Sequence, residues 1–193
     1  DVVFEKLLEA PVKGENVWLD GYIADLLASR VLFSTPNMQN DKSIASSIRV
    51  TLRSIFDGSF DAFVASLGGL SKSKVIVELS AQDVLANFED YHRAHARLDL
   101  DGFRLMLADV ELTALLWLRY ESFDADFVKT RLPRKPAGEW LSAGTEAKLK
   151  EQIKNIGQAR VILDGCTASE DVELGMKLGI TLFQGSAIEP YWV

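Results

Sequence analysis

The sequence predicts an α/β fold built on a parallel sheet, and three observations predict it. Short β-rich runs alternate with amphipathic helical stretches, and strand–helix–strand repeats are joined by right-handed crossovers onto parallel strands. Strand runs such as Val75-Ile76-Val77 and Val161-Ile162-Leu163 are continuously apolar, as strands covered on both faces are. No Gly-x-Gly-x-x-Gly or Walker pattern follows any strand, so the nucleotide-binding α/β folds gain nothing. Seven strand runs suit either a doubly wound sheet or a barrel near the eight-stranded type.

The elements follow in order. A first strand is expected at Val2–Leu8 and a helix at Leu19–Leu32. Ser34–Ala45 is rich in turn formers and reads as a loop. Strand Ile48–Leu52 precedes helix Phe60–Leu67, strand Val75–Leu79 precedes helix Gln82–Ala96, and strand Phe103–Leu107 precedes helix Glu111–Tyr120. Strand Phe127–Thr130 runs into a second loop at Arg134-Lys135-Pro136, then helix Thr145–Ile156. Strand Ala159–Leu163 leads to helix Ser169–Leu178, where Ser169 is the expected N-cap before an acidic first turn and Gly179 the C-terminal stop. Ile180–Phe183 is the last strand.

The chain length favours one domain with one core, residues 1–193. A net charge of −7 argues against nonspecific binding to nucleic acid or to an acidic membrane, which needs clustered Lys and Arg. A single cysteine, Cys166, excludes an internal disulfide framework and fits a reducing compartment. No signal peptide and no membrane-spanning apolar run is present. The chain begins at Asp1 inside the apolar run Val2-Val3-Phe4, so it is expected to be the C-terminal piece of a larger protein, with an upstream strand or domain missing.

Polar residues recur near the expected C-terminal strand ends: Glu5, Thr51, Glu78, Asp109, Lys129, Arg131, Asp164 and Gln184. In a parallel barrel that end is the functional face. Val161-Ile162-Leu163-Asp164-Gly165, followed in register by Glu173-Leu174, Leu178-Gly179, Gln184-Gly185 and Pro190, resembles the C-terminal V-I-A-E-G, E-L, L-G, Q-G and closing proline of the EAL family, the cyclic-di-GMP phosphodiesterase barrels. Val77-Glu78-Leu79-Ser80 is similar to its E-x-T-E, Val50-Thr51-Leu52-Arg53 to V-N-L-S, and Ala108-Asp109 falls where the family has D-D-F-G. Val128-Lys129-Thr130-Arg131 occupies the L-K-I-D position, and Glu5-Lys6-Leu7 resembles E-A-L itself.

The resemblance implies a TIM-like (βα) barrel of the EAL type, here lacking its first strand, with an acidic mouth that holds two divalent cations. It would carry metal ligation to Glu5, Glu78 and Asp109, catalysis to Lys129, and supporting contacts to Gln184 and Pro190. Hard oxygen ligands converging on Mg²⁺ or Mn²⁺ are what such hydrolysis requires. Four departures undercut it. Thr51 replaces a ligand asparagine, Ala108 replaces one of two aspartates, Asp164 replaces a glutamate, and Arg131 replaces the aspartate after the lysine. Residues i and i+2 of a strand share a face, so Arg131 should enter the mouth beside Lys129 and pair with Glu78 or Asp109. Glu9 stands where the family holds a ligand phosphate with arginine, and the glycine-rich loop after D-D-F-G is absent.

The expectation is therefore a catalytically inactive EAL-like domain of a bacterial cytoplasmic protein, acting as a signalling or protein-interaction module. Its partners would be other protein domains or a second copy of itself. No cofactor is expected, with Mg²⁺ or Mn²⁺ only if activity persists, and no nucleic acid or membrane contact. The alternatives are a cyclic-di-GMP receptor that binds without hydrolysis, a residual phosphodiesterase, and an unrelated α/β domain. His92 and His95 read as a solvated helix face, Cys166 as an inert, semi-buried thiol and Trp117 as core packing. Trp140, Tyr191 and Trp192 are the aromatics suited to an interface.

Overall fold

Six strands, all parallel, lie side by side in strictly sequential order in the computed structural model, which describes residues 17–34, 45–67 and 72–188. They are β1 (Ser46–Arg49), β2 (Val75–Ser80), β3 (Arg104–Glu111), β4 (Phe127–Arg131), β5 (Val161–Asp164) and β6 (Leu182–Phe183). A doubly wound sheet reverses its strand order at a switch point; this sheet never does. Among the described residues the strands form a curled half-barrel, a TIM-like barrel short of a strand or two. The expected first strand, Val2–Leu8, lies outside the described residues.

The helices are α1 (Val17–Ser34), α2 (Leu52–Ile55), α3 (Gly58–Ser66), α4 (Ala81–Ala86), α5 (Phe88–Asp101), α6 (Ala137–Trp140), α7 (Ala143–Ile156) and α8 (Ser169–Leu178). Alternate strand residues Ile48, Val75, Val77, Leu79, Leu105, Leu107, Val128, Val161 and Leu163 pack with Phe60, Phe63, Val84, Tyr91, Leu149, Ile153 and Leu178 of the helices in one continuous core. Fully burying such a side chain contributes about 1.5–3 kcal/mol, so this outer layer holds the sheet together. The residues between them, Arg49, Glu78, Lys129, Arg131 and Asp164, belong to the opposite, concave face.

Several expectations are corrected. The stretch expected as helix 111–120 is instead the end of β3 followed by 3₁₀ turns at Leu112–Leu116 and Tyr120–Ser122. Two β-branched or aromatic residues, Thr113 and Trp117, weaken its helix propensity. The helix expected at Gln82–Ala96 breaks at Asn87, whose backbone (φ −136°, ψ 54°) ends α4 and starts α5. Ser169 is the first helical residue of α8 rather than its cap: Ala168 is the cap, and Asp171 Oδ2 accepts the Thr167 and Ala168 backbone N–H groups at 2.9 and 3.1 Å. Gly179 does end α8, in the left-handed conformation (φ 93°) that glycine adopts without cost. Trp117 is 85% exposed, not core. No described helix is long and apolar enough to cross a membrane.

Candidate functional site

Period-two alternation sends charged residues of β1, β2, β4 and β5 to one face of the sheet. The register puts Arg49 beside Glu78 and Arg131 beside Asp164. Lys129 lies one inward step below Arg131 on β4.

Lys129 and Glu78 form a buried ion pair, Nζ to Oε1 at 2.7 Å, with both residues more than nine-tenths covered. A pair this far from water survives only because each charge has its partner. Above it, Asp109 is gripped from two sides: Arg49 pairs with Oδ2 and Arg131 with Oδ1. Arg131 Nε also reaches Asp164 Oδ2 at 3.6 Å. Arg131 therefore pairs with Asp109 and Asp164, and not with Glu78, which Lys129 has taken. Burial holds the Arg49 pKa below the usual guanidinium value; Glu78 and Asp164 oppose that and Arg131 adds to it. Arginine stays charged regardless. Three cations thus face three carboxylates.

Asp109 owes its position to a break in the ladder. Leu107 pairs with Val128 but Val110 with Thr130, so β3 carries one extra residue between them, and Asp109 has φ 59°. Left-handed backbone costs a residue with a Cβ about 1–3 kcal/mol, with aspartate among the most tolerant. The two arginines hold the carboxylate that this bulge turns toward them. Ala108, just before it, is fully buried and offers no oxygen.

Thr51 has other work. It lies beyond β1, at the N-cap of α2, where its hydroxyl accepts the Ser54 N–H at 3.2 Å and donates to Asp25 Oδ1 of α1 at 2.6 Å. Gln184 follows β6 and is tied by its backbone, donating to Leu163 O at 2.8 Å and accepting from Cys166 N at 3.0 Å. Gly185 (φ 142°) fits that turn as glycine alone: a Cβ would fall 2.3 Å from the Cys166 carbonyl oxygen. Cys166 is buried, and desolvation, helped by Asp171, pushes its thiol pKa up. His95 Nε2 lies 3.0 Å from the Asp124 carbonyl oxygen, and His92 stacks edge-on against Phe88. Glu5, Glu9, Pro190, Tyr191 and Trp192 lie outside the described residues.

The sequence reading missed Arg49. Its signal was present: Arg49 lies between the core residues Ile48 and Val50, which turns it to the opposite, inward face.

The chemistry of the donor set does not fit two hard cations. A hard divalent ion needs several converging, uncommitted oxygens. Glu78 is committed to Lys129, Asp109 to Arg49 and Arg131, and Thr51 to Asp25. Among the described residues no group of three His, Cys, Asp or Glu side chains converges on a metal position.

No protein-family model and no curated protein matches this sequence. Solved structures do. The chain is similar to the EAL domain of Xanthomonas citri FimX in complex with c-diGMP (13% identity, 85% of this chain, 67% of that one, TM-score 0.61). It is similar to Klebsiella pneumoniae BlrP1 in a manganese and c-diGMP complex (19%, 88% and 44%, TM-score 0.63). A third is the EAL domain of Mycobacterium smegmatis DcpA (17%, 88% and 80%, TM-score 0.59). The chain spans less than half of the BlrP1 chain. With six sequential parallel strands, and with the FimX and DcpA neighbours EAL domains, the chain has the fold of the EAL domains.

Proposed function

We propose that this chain is a catalytically inactive EAL-like domain that serves as a signalling or protein-interaction module within a larger, cytoplasmic bacterial protein. The observation that carries the reading is the neutralisation of its own carboxylates. Arg49, Lys129 and Arg131 satisfy Glu78, Asp109 and Asp164 from within the chain. A bound cation would have to displace those partners, and each displaced guanidinium or ammonium would then repel it. Ala108 adds no ligand and Thr51 is spent on a helix cap. Hydrolysis of a phosphodiester at this mouth would need a metal to activate water, and the paired carboxylates leave such a metal few oxygens to bind.

One observation favours a second reading, a receptor that binds cyclic di-GMP without cleaving it. Arg49 and Arg131 stand together with half-exposed side chains, and guanidinium groups suit phosphate. FimX and BlrP1 are seen with that ligand. Against it, both arginines are already engaged by Asp109.

Calorimetric titration with cyclic di-GMP, with and without Mg²⁺, separates the readings, together with product analysis in Mn²⁺. The module reading expects no heat of binding and no product. Binding without product would establish the receptor, and metal-dependent product would overturn both.

A further inference from the structure

Beside the Asp109–Arg131 pair, a groove opens at the C-terminal ends of β3 and β4. Its apolar floor is Leu132, Pro133 and Trp140. Leu132 and Trp140 are half-buried and anchored in the core, so the floor is rigid. Its rim carries Arg134 and Lys135, both exposed and without an ion-pair partner among the described residues. The facing wall has one acid without an ion-pair partner among the described residues, Glu111, whose carboxylate accepts the Thr113 hydroxyl at 2.5 Å.

The charge here runs against the rest of the molecule. The chain as a whole is −7. Asp109 and Asp164 are cancelled by Arg49 and Arg131, which leaves the groove with two uncompensated cations against Glu111. A cationic rim over an aromatic and proline floor is complementary to an acidic segment bearing one apolar side chain. The apolar group would pack on Trp140, and carboxylates would meet Arg134 and Lys135. Fused on Pro133 and Pro136, the segment that carries these cations has few conformations to lose on binding.

We infer that this groove is the docking surface for an acidic linear segment of a partner protein with a single apolar anchor. The inference rests on the interaction-module reading and names the chemistry of its partner. Trp140 serves as the anchor platform, and Arg134 and Lys135 set the sign of what is accepted. Arg131 is spent on Asp109 and Asp164, so it shapes the wall and does not recognise the ligand.

The test uses the full chain and a fluorescein-labelled peptide of Asp and Glu residues flanking one Leu, read by anisotropy at low and high salt. The same peptide with Lys in place of every acid is the control, as is unlabelled cyclic di-GMP as competitor. The expected result is salt-sensitive binding of the acidic peptide alone, reduced about tenfold or more in Arg134→Glu/Lys135→Glu, as loss of paired interface charges requires. Both positions are exposed, so that variant keeps its fold; its circular dichroism and melt should match the parent. Failure of the acidic peptide to bind, equal binding of the Lys peptide, or undiminished binding by the double variant overturns the docking surface and leaves the module reading standing. Displacement of the peptide by cyclic di-GMP would overturn both at once.

Discussion

The two cationic positions that β4 sends to the mouth differ in kind. Lys129 and Glu78 are both buried, whereas the Arg131 side chain is 45% exposed and shares Asp109 with Arg49. Removing one partner of a buried pair strands the other charge, at about 3–5 kcal/mol, while an exposed pair is worth about 0–1 kcal/mol. Lys129→Met should therefore lower unfolding stability by several kcal/mol, and adding Glu78→Leu should recover most of it. Arg131→Ala should cost about 1 kcal/mol or less, because Arg49 continues to hold Asp109. Denaturant unfolding of the four proteins measures this, and a larger loss from Arg131→Ala than from Lys129→Met would show that the mouth is organised the other way round. Parity alone places Lys129 and Arg131 on one face, so their shared location is legible in the sequence. Which carboxylate each takes is not, since that depends on the β3 bulge that lifts Asp109 out of register, and no turn residue advertises it.

At the scale of elements, the chain between β3 and β4 is the part whose structure the sequence least discloses. Residues 111–120 read as a helix, but Leu112–Leu116 and Tyr120–Ser122 form 3₁₀ turns, and the chain that follows, residues 123–126, is tied down from outside. Tyr91 of α5 donates its hydroxyl to the Phe123 carbonyl, and Tyr120 to that of Ala125. Arg160 adds bonds to Ala125 O and Asp126 O at 2.6 and 2.9 Å, and Asp126 Oδ2 accepts Leu105 N–H at 2.8 Å. Apart from Tyr120, five residues from Ala125, these partners come from 21 to 35 residues away, which a local pattern cannot encode. Burial, opposed by Arg160, raises the Tyr120 pKa to about 12, and burial raises that of Tyr91 further. Free tyrosine titrates near pH 10, so the neutral hydroxyls stabilise the fold fully below about pH 10 and cease to do so as pH climbs through about 12. Stability should fall steeply on that alkaline limb. Tyr91→Phe and Tyr120→Phe should each cost about 1 kcal/mol at neutral pH and flatten the limb; a limb equally steep in the double variant would assign it to other groups. Strongly apolar strands and α7 and α8, by contrast, lie within a few residues of their expected bounds, because burial on both faces or on one helical face is written in the local pattern.

For the whole molecule, the question is what neutralises a barrel mouth lined with carboxylates. Three acids close together cannot all stay ionised without cations, whether protein side chains or bound metal. Here the cations are covalently part of the sheet: Arg49 on β1, Lys129 and Arg131 on β4. A ligand that binds only the folded state stabilises it by RT ln(1 + [L]/Kd), about 2.7 kcal/mol at a hundredfold excess over Kd. For a domain of this size that is a rise of roughly 5–11 °C in melting temperature, at about 2–4 °C per kcal/mol. A mouth whose carboxylates are already paired should give none of it: melts in millimolar Mg²⁺ or Mn²⁺ should superimpose on those in chelator. The informative control is Arg49→Ala/Arg131→Ala, which frees Asp109 and Asp164 together. If internal cations stand where metal would otherwise be needed, this variant should gain a metal-dependent rise that the parent lacks. A parent protein that already melts several degrees higher in Mg²⁺ would show that its carboxylates accept metal despite their partners, and the charge-substitution argument would fall with it.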